Sequence, residues 1–232
     1  MTLRMIVTTK LAALLVLAAT TAADAQVVSS SFSTGGTAKS SASGIGNVRI
    51  QSHAAASGGG TAIANMRGDG RYGGYATGTA VAASNGGFAV ANGQSRAHGW
   101  NSRSDSNAMA LSNGGVAIAN DRAFARGNGS ASSFSGAMTQ GGIAISNGSA
   151  MAQGYYGGSG QAINTSIAAS QYGGIAVSQG SANANGYYGG QAISQSGAYS
   201  ISDGGAVFSN AQSNAGAIYG GIAVDSAIHW GN

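Results

Sequence analysis

Four tyrosines share one position in a repeated phrase, immediately before a pair of glycines in the second half of the chain. They are Tyr156, Tyr172, Tyr188 and Tyr219. Phenol rings that recur at one position of a stacked repeat are expected to form a stripe along one edge. Such a stripe has two chemical uses: its rings stack on one another and hold an assembly together, or they stack on sugars. The sequence leaves both uses open.

Amide side chains form a second recurring position, six residues after the first glycine of most pairs. This column comprises Asn65, Asn92, Asn120, Asn147, Gln179, Gln195 and Asn210. Stacked coils place such side chains about 4.8 Å apart, so that each amide hydrogen-bonds to the next. We therefore predict a structural amide ladder.

Groups suited to catalysis or metal binding are few and scattered. The chain has six acidic residues, three histidines and no cysteine, and these residues fall at unrelated phases of the repeat. Paired carboxylates and nucleophile–histidine arrangements are not recognisable. A calcium-binding β-roll needs an Asp in every turn, but the positions equivalent to Asp121 are Gly148 and Gly180. We predict no enzymatic activity, no metal and no cofactor.

Three short motifs have both a functional and a structural interpretation. The pair His98 and Trp100 and the pair His229 and Trp230 are typical of a sugar-stacking edge, or else of a chance corner and a terminal cap. The structural interpretation is favoured for both. The tripeptide at Arg67–Asp69 is either a cell-adhesion ligand or a chance match in a glycine-rich chain, and its role stays open.

The element that positions these side chains is a repeat marked by glycine pairs. The pairs start at Gly59, Gly73, Gly86, Gly114, Gly141, Gly157, Gly173, Gly189, Gly204 and Gly220. In "GGVAIAN" the side chains alternate as in a strand, and "DRAFARG" alternates again, which predicts two short strands joined by Gly or Asn corners. We expect an all-β fold, a repetitive parallel β-solenoid or β-roll of about twelve coils of roughly 13–16 residues, about 55–60 Å long.

Composition divides the chain into three parts. Residues 1–25 have basic Arg4 and Lys10, a short apolar core at Leu11–Ala19 and small residues before Gln26, which is typical of a cleaved signal peptide. Residues 26–56 are Ser-rich and predict a lead-in or cap, and residues 57–232 carry the repeats. The apolar core is shorter than the roughly 20 residues of a spanning helix. We expect a secreted protein at the cell surface or outside the cell, with no transmembrane segment in the mature chain.

The surface pattern indicates which partners the chain has. In "GGIAV" Ile175 and Val177 lie on one face and Ala176 on the other, yet a small coil hides only one face. The second apolar face predicts a homo-oligomer, either a trimer or a fibril. A surface polysaccharide or a host or matrix surface is a second candidate partner. No basic run alternates with aromatic residues, so nucleic acid is not expected.

The turns "GGVAIANDRAFARGNG" and "GGIAISNGSAMAQG" resemble the head repeats of trimeric autotransporter adhesins, over about Gly59–Gly154. This resemblance implies a β-roll, trimerisation and surface adhesion. The chain is also similar to curli-type functional amyloid subunits, which are exported, rich in Gly, Asn and Gln, and built from stacked two-strand turns. The expected function is a structural or adhesive protein of the bacterial surface or matrix. The alternatives are a self-assembling amyloid fibre subunit and a soluble carbohydrate-binding module that uses the tyrosine stripe.

Overall fold

A computed structural model of the chain describes residues 25–156, 158–172, 174–219 and 222–231. Within these ranges the chain forms strands and no helix. The strands are β1 (Ala25–Thr34), β2 (Thr37–Ile45), β3 (Val48–Ser57), β4 (Thr61–Gly70), β5 (Tyr75–Asn85), β6 (Phe88–His98), β7 (Arg103–Asn113), β8 (Val116–Arg126), β9 (Ser130–Gln140), β10 (Ile143–Gly154), β11 (Ser159–Gln171), β12 (Ile175–Tyr187), β13 (Gln191–Ser202), β14 (Ala206–Ile218) and β15 (Ile222–Gly231). Apart from Ala25, the predicted signal peptide lies outside the described residues.

Successive strands alternate between two parallel sheets. The odd-numbered strands form an eight-stranded sheet, called sheet A here, and the even-numbered strands form a seven-stranded sheet, called sheet B. Each strand pairs with the strand two positions along the chain, in parallel and in register. The all-β parallel solenoid predicted from the repeat is therefore confirmed, with about seven turns.

The predicted number of about twelve coils is wrong, because each repeat unit supplies one strand and one corner instead of a whole turn. "DRAFAR" continues the alternation of "VAIAN" without a break, so Val116–Arg126 is a single strand, β8. One turn of the solenoid therefore takes two repeat units. Eight strands at the usual spacing of about 4.8 Å span roughly 34 Å along the axis, well short of the predicted length.

Residues 26–56, expected to be a lead-in or cap, belong to the same solenoid. They form nearly all of β1, all of β2 and most of β3. Ala54 in β3 pairs with Ala82 in β5, and Ser40 in β2 pairs with Ala64 in β4. The serine-rich segment and the glycine-pair repeats thus share one register, and the structure shows no boundary at residue 57.

Small side chains fill most of the interior of the solenoid, with Val48, Ile50 and Met66 as larger exceptions, and most other aliphatic side chains point outward. In β8, Ala117, Ala119, Ala123 and Ala125 are fully buried between the sheets. Their neighbours on the strand, such as Ile118, lie on the outer face and are partly exposed. The space between the two sheets is thin, so most inward positions of the alternating pattern are occupied by alanine.

Serine hydroxyls show how closely the two sheets approach. Ser135 of sheet A donates to the Ala119 carbonyl of sheet B at 2.8 Å, and Ser146 of sheet B donates back to the Ser135 carbonyl at 2.7 Å. Ser166 continues this zigzag by donating to the Ser146 carbonyl at 2.9 Å. A hydroxyl reaches the facing backbone only if the sheets lie closer than the usual separation of about 10 Å.

Large and small side chains are matched across the middle of the core. Asn164 of sheet A is 2% exposed, and a Cβ atom added to Gly148 of the facing sheet would overlap its side chain. Likewise, the Met66 side chain fills the space beside Gly78. Several glycines inside strands are therefore required by the side chain they face, and not by a turn.

The corners fall on two edges of the solenoid. The glycine edge holds the odd-to-even corners, such as Gly114–Gly115 between β7 and β8. There the Gly87 carbonyl accepts hydrogen bonds from the Val116 amide and the Ser112 hydroxyl, both at 3.0 Å. The same hydroxyl contact recurs at Ser84, Thr139, Ser170 and Ser202. On this edge, the Ser or Thr two or three residues before these glycine pairs thus connects one corner to the preceding corner of the same edge.

Candidate functional site at the aromatic edge

The even-to-odd corners form a second edge, called the aromatic edge here, whose backbone conformation is repeated. In six of the seven corners one residue has a positive φ although it is not glycine, and the series is Tyr72, Asn101, Asn128, Tyr156, Tyr188 and Tyr219. A left-handed conformation costs a non-glycine residue on the order of 1–3 kcal/mol. Asparagine tolerates it best, so the tyrosines at these corners carry this cost unless a favourable contact offsets it, and Tyr72, which is 99% exposed, is in no ring stack.

Stacked rings provide that contact. Tyr156 and Tyr188 have ring centroids 5.3 Å apart with planes inclined by 9°, and Tyr188 and Tyr219 have centroids 5.1 Å apart with planes inclined by 8°. A parallel second stack joins Tyr155 and Tyr187 at 5.1 Å. Aromatic pairs of this kind contribute about 0.5–1.5 kcal/mol each beyond their buried area. The sequence showed the doublet "GYYGG", but the second stack was not predicted.

Tyr172 does not belong to the predicted tyrosine stripe. It lies on the glycine edge, in the corner between β11 and β12, with a positive φ of 58° and 76% of its surface exposed. Its position before a glycine pair matches that of Tyr156 and Tyr188, but consecutive repeat units turn at opposite edges. A shared position in the unit therefore does not imply a shared edge.

The amide column forms a hydrogen-bonded ladder on the outer face of sheet B. Asn92 donates to Asn65 at 2.8 Å, Asn120 to Asn92 at 3.0 Å and Asn147 to Asn120 at 2.9 Å. Gln179 and Asn210 continue the same register on β12 and β14.

Gln195 is the exception in this column. It lies on β13 in sheet A, where it pairs in register with Ile163 and Ser226. Its prediction as a ladder member is wrong for the reason that applies to Tyr172: the unit that begins at Gly189 turns at the aromatic edge and enters the other sheet.

A notch of about 530 Å³ opens at the aromatic edge where the tyrosine stacks end. It is lined by His98, Gly99, Trp100, Arg126, Gly127, Asn128, Tyr155 and Tyr156. The Arg126 guanidinium carbon lies 5.6 Å from the centroid of the Tyr155 ring, within cation–π range. The Asn128 side-chain oxygen accepts a hydrogen bond from the Tyr155 amide at 3.1 Å. The structure thus brings His98 and Trp100 together with Arg126, a residue that the sequence did not single out.

Positive charge surrounds the notch. Arg96, Arg122 and Arg126 all point outward on β6 and β8, beside His98. In the described part of the chain, ion pairs join Arg71 to Asp69 at 3.0 Å and Arg103 to Asp105 at 2.6 Å. These two pairs lie on other strands. Among the described residues, no ion pair involves Arg122 or Arg126, whereas Asp69 is the neighbour of Arg96 in the register of β4 and β6.

The tripeptide Arg67–Asp69 lies within strand β4 and not on a loop. Gly68 points into the core, and the Asp69 carboxylate accepts hydrogen bonds from Arg71. The second pair from the sequence, His229 and Trp230, lies outside the residues whose side chains the structure describes.

Asp121 is a buried carboxyl group away from the notch. It points into the core from β8 and is 4% exposed. It accepts hydrogen bonds from the hydroxyls of Ser106 and Ser133 and from the Phe134 amide. Burial raises its pKa from 3.8 to about 7, while these donors act in the opposite direction. Among the described residues, no three His, Cys, Asp or Glu side chains lie close enough to hold a metal ion.

Comparisons with known proteins identify no relative of this chain. In the described ranges no helix is long and apolar enough to cross a membrane. No protein family model matches the chain, and no curated protein or solved structure is significantly similar to it.

Proposed function

We propose that this chain is an exported structural subunit of the cell surface or extracellular matrix, and that it assembles into filaments by stacking solenoids end to end. The observation that carries this proposal is that, among the described residues, no segment covers the terminal strand edges of either sheet. The proposal includes no catalytic step and no cofactor.

The open ends are strand edges with free backbone groups. Sheet A ends at β1 and β15, and sheet B ends at β2 and β14, with no further strand or covering segment among the described residues. An uncovered edge of this kind is a template for pairing with another chain, and natural solenoids usually cap it to remain soluble. The apolar side chains Val28, Phe32, Ile222 and Ile228 on the terminal strands are more than half exposed.

The geometry of the two ends favours filaments over closed rings. All pairings within sheet A are parallel and in register, so β15 of one copy and β1 of the next present matching backbone groups. A head-to-tail contact of this type uses two different surfaces, and without a closing rotation it continues indefinitely.

Apolar columns on the outer faces support lateral association as well. On sheet B, Phe88, Val116, Ile143 and Ile175 are neighbours in one column at the glycine edge. Phe88 is 54% exposed and Ile175 38% exposed. Contact between such columns buries apolar surface. A trimer of the kind implied by the adhesin resemblance would use these columns, but a β-solenoid alone does not identify that family.

The tyrosine stacks favour the structural role over a sugar-binding stripe. In Tyr156, Tyr188 and Tyr219 the rings turn their faces toward one another, with planes inclined by 8–9°. A face that contacts a neighbouring ring is not available to a sugar. We therefore propose that the stacks stabilise the edge of the filament.

A charged residue at the open end tests the proposal. Ala227 and Ser226 are adjacent exposed residues of β15, with Ala227 on the inward side and Ser226 on the outward side. We expect Ala227→Lys to stop filament growth, because an inward charge on an edge strand opposes pairing. Ser226→Lys, the matched control, should leave growth intact. Electron microscopy and light scattering measure growth, and circular dichroism checks the fold. Equal filament growth by the Ala227→Lys variant would overturn the end-to-end proposal.

A further inference from the structure

The notch at the aromatic edge is built as a binding site, and we propose that it holds one ring of an acidic polysaccharide, a pyranose that carries a carboxylate. This inference goes beyond filament assembly, and three of the residues it uses, Trp100, Arg126 and Asn128, have no part in the proposed assembly.

The shape of the notch comes from one small corner between two aromatic corners. The corner between β8 and β9 consists of Gly127, Asn128 and Gly129. The corner before it carries Trp100, which is 64% exposed, and the corner after it carries Tyr156, which is 73% exposed. Two strand spacings, about 9.6 Å, separate the flanking corners. That distance leaves room for a single ring between the two aromatic walls.

Tyr156 offers the notch a ring face that its own stack leaves open. One face contacts Tyr188 at a centroid distance of 5.3 Å. On the other side the next corner holds Asn128, which has no ring. The tyrosine stack therefore ends at the notch with an apolar surface suited to the C–H face of a sugar, and Trp100 provides a second aromatic surface.

Arg126 supplies the charge that selects an anionic ring. It is the last residue of β8, and its guanidinium lies over the Tyr155 ring, 5.6 Å from the centroid. This contact restrains the side chain at the mouth of the notch. A guanidinium group binds a carboxylate through two parallel hydrogen bonds. Arg122 lies on the adjoining face of sheet B, between the uncharged Gln94 and Ser149, and adds to the positive field that attracts an anionic chain.

Asn128 provides a neutral polar group at the floor. Its side-chain oxygen accepts the hydrogen bond from the Tyr155 amide at 3.1 Å, which fixes the orientation of the amide group. That hydrogen bond leaves the Asn128 amide nitrogen as a donor that can serve a ligand hydroxyl or ring oxygen. The notch thus combines two aromatic walls, one cation and one hydrogen-bond donor.

The same geometry favours an acidic sugar over a nucleic acid. Binding of single-stranded nucleic acid needs several successive stacking platforms along a basic groove. Here only one ring-sized space lies between the aromatic corners, and beyond Tyr156 the ring faces are closed by the stacks. One notch with one restrained arginine fits one charged sugar ring.

Binding of an oligogalacturonate to the mature chain tests this proposal, with the fully methyl-esterified oligomer as the uncharged probe. The chain has two tryptophans, so a Trp230→Phe background makes the fluorescence report on Trp100 alone. We expect the acid form to quench this fluorescence and to bind more weakly as salt rises. Arg126→Gln should weaken binding by about tenfold. Arg49→Gln, which removes an exposed arginine from the outer face of sheet A, should change it by less than about twofold.

Several outcomes would overturn the proposal. They are equal binding of the acid and its methyl ester, an unchanged affinity in Arg126→Gln, or tighter binding of a single-stranded DNA oligomer at the same residues. Isothermal titration of Trp100→Ala gives a second readout, and loss of binding is expected there too. Circular dichroism of each variant confirms that the solenoid is intact. Light scattering of the same samples reports filament growth, so failure of sugar binding and failure of assembly are distinguishable.

Discussion

Ser133 of sheet A donates a hydrogen bond of 2.7 Å across the core to the carboxyl group of Asp121 in sheet B. Asp121 is thereby held in an interior composed mainly of alanine, serine and glycine. Its neighbours in the same column of sheet B are Gly93 and Gly148, and a Cβ at Gly93 would overlap the Asp121 side chain. The residues around Asp121 therefore accommodate this acid, and its ionisation places a charge inside the core.

Stability is expected to fall as pH rises from about 4 to about 7. Burial raises the pKa of Asp121 from 3.8 to about 7. In that pH window the folded protein holds a proton that the unfolded chain has released. The free energy of unfolding therefore decreases with pH, by about 4 kcal/mol in total, and levels off above the folded pKa. Denaturant unfolding followed by circular dichroism at several pH values measures this change.

Asp121→Asn is the matched variant, because an amide has the same shape and no charge. It should remove most of the pH dependence and leave the protein more stable than the parent at pH values above about 7. A parent protein whose stability is constant across this window, or an Asn variant that retains the slope, would contradict the assignment to Asp121.

Alanine substitutions at one glycine pair separate two structural roles. A Cβ at Gly115 would overlap the Gly87 carbonyl oxygen, which already accepts the Ser112 and Val116 hydrogen bonds. Gly115→Ala should therefore separate two corners and cost several kcal/mol, on the order of 3. Gly114→Ala meets no atom within 4 Å but has a φ of 75°, so it should cost about 1 kcal/mol. Thermal unfolding compares the two, and equal losses would contradict the close approach of the corners.

Two tyrosines with similar backbone conformations test the stacks. Tyr188 and Tyr172 have φ values of 54° and 58°, and asparagine tolerates this conformation. Tyr188→Asn removes two ring contacts and should cost about 1–3 kcal/mol. Tyr172→Asn, at the other edge, should stay within about 0.5 kcal/mol of the parent. The stabilising role of the stack would be refuted by equal changes in melting temperature.

The amide ladder gives a prediction for the outer face of sheet B. Asn120 donates to Asn92 and accepts from Asn147. Asn120→Ala removes both hydrogen bonds at a partly buried site, so we expect a loss of about 1–2 kcal/mol. Ser181→Ala, on the outer face of β12, serves as a control and should change stability by less than about 0.5 kcal/mol. Denaturant unfolding measures the free energy of unfolding of both variants. Equal values for Asn120→Ala and Ser181→Ala would contradict a stabilising role of the ladder.

The sequence predicted the strands and the parallel stacking because alternation and repetition are local signals. Val116–Arg126 shows the limit of those signals: nothing in its alternating pattern says whether the chain turns at Asn120 or continues straight. The turn count therefore came out too high, and the two edges of the solenoid were merged into one. Tyr172 and Gln195 were misplaced for that single reason.

The notch was predicted only in part. His98 and Trp100 were noticed as a pair because they are close in sequence. Arg126 and Tyr155 lie one and two turns of the solenoid further along the chain. Their proximity depends on the length of a turn, which the sequence pattern did not determine. Residue matching inside the core, as between Asn164 and Gly148, is likewise visible only when the facing sheet is known.

Self-assembly of residues 26–232, the mature chain expected from the sequence, is tested most directly by sedimentation velocity at a series of micromolar concentrations, with electron microscopy of the same samples. Open strand edges at both ends of the solenoid predict species that lengthen with concentration and time, visible as unbranched filaments. A single monomeric species at every concentration, with a fully folded β spectrum, would contradict end-to-end assembly.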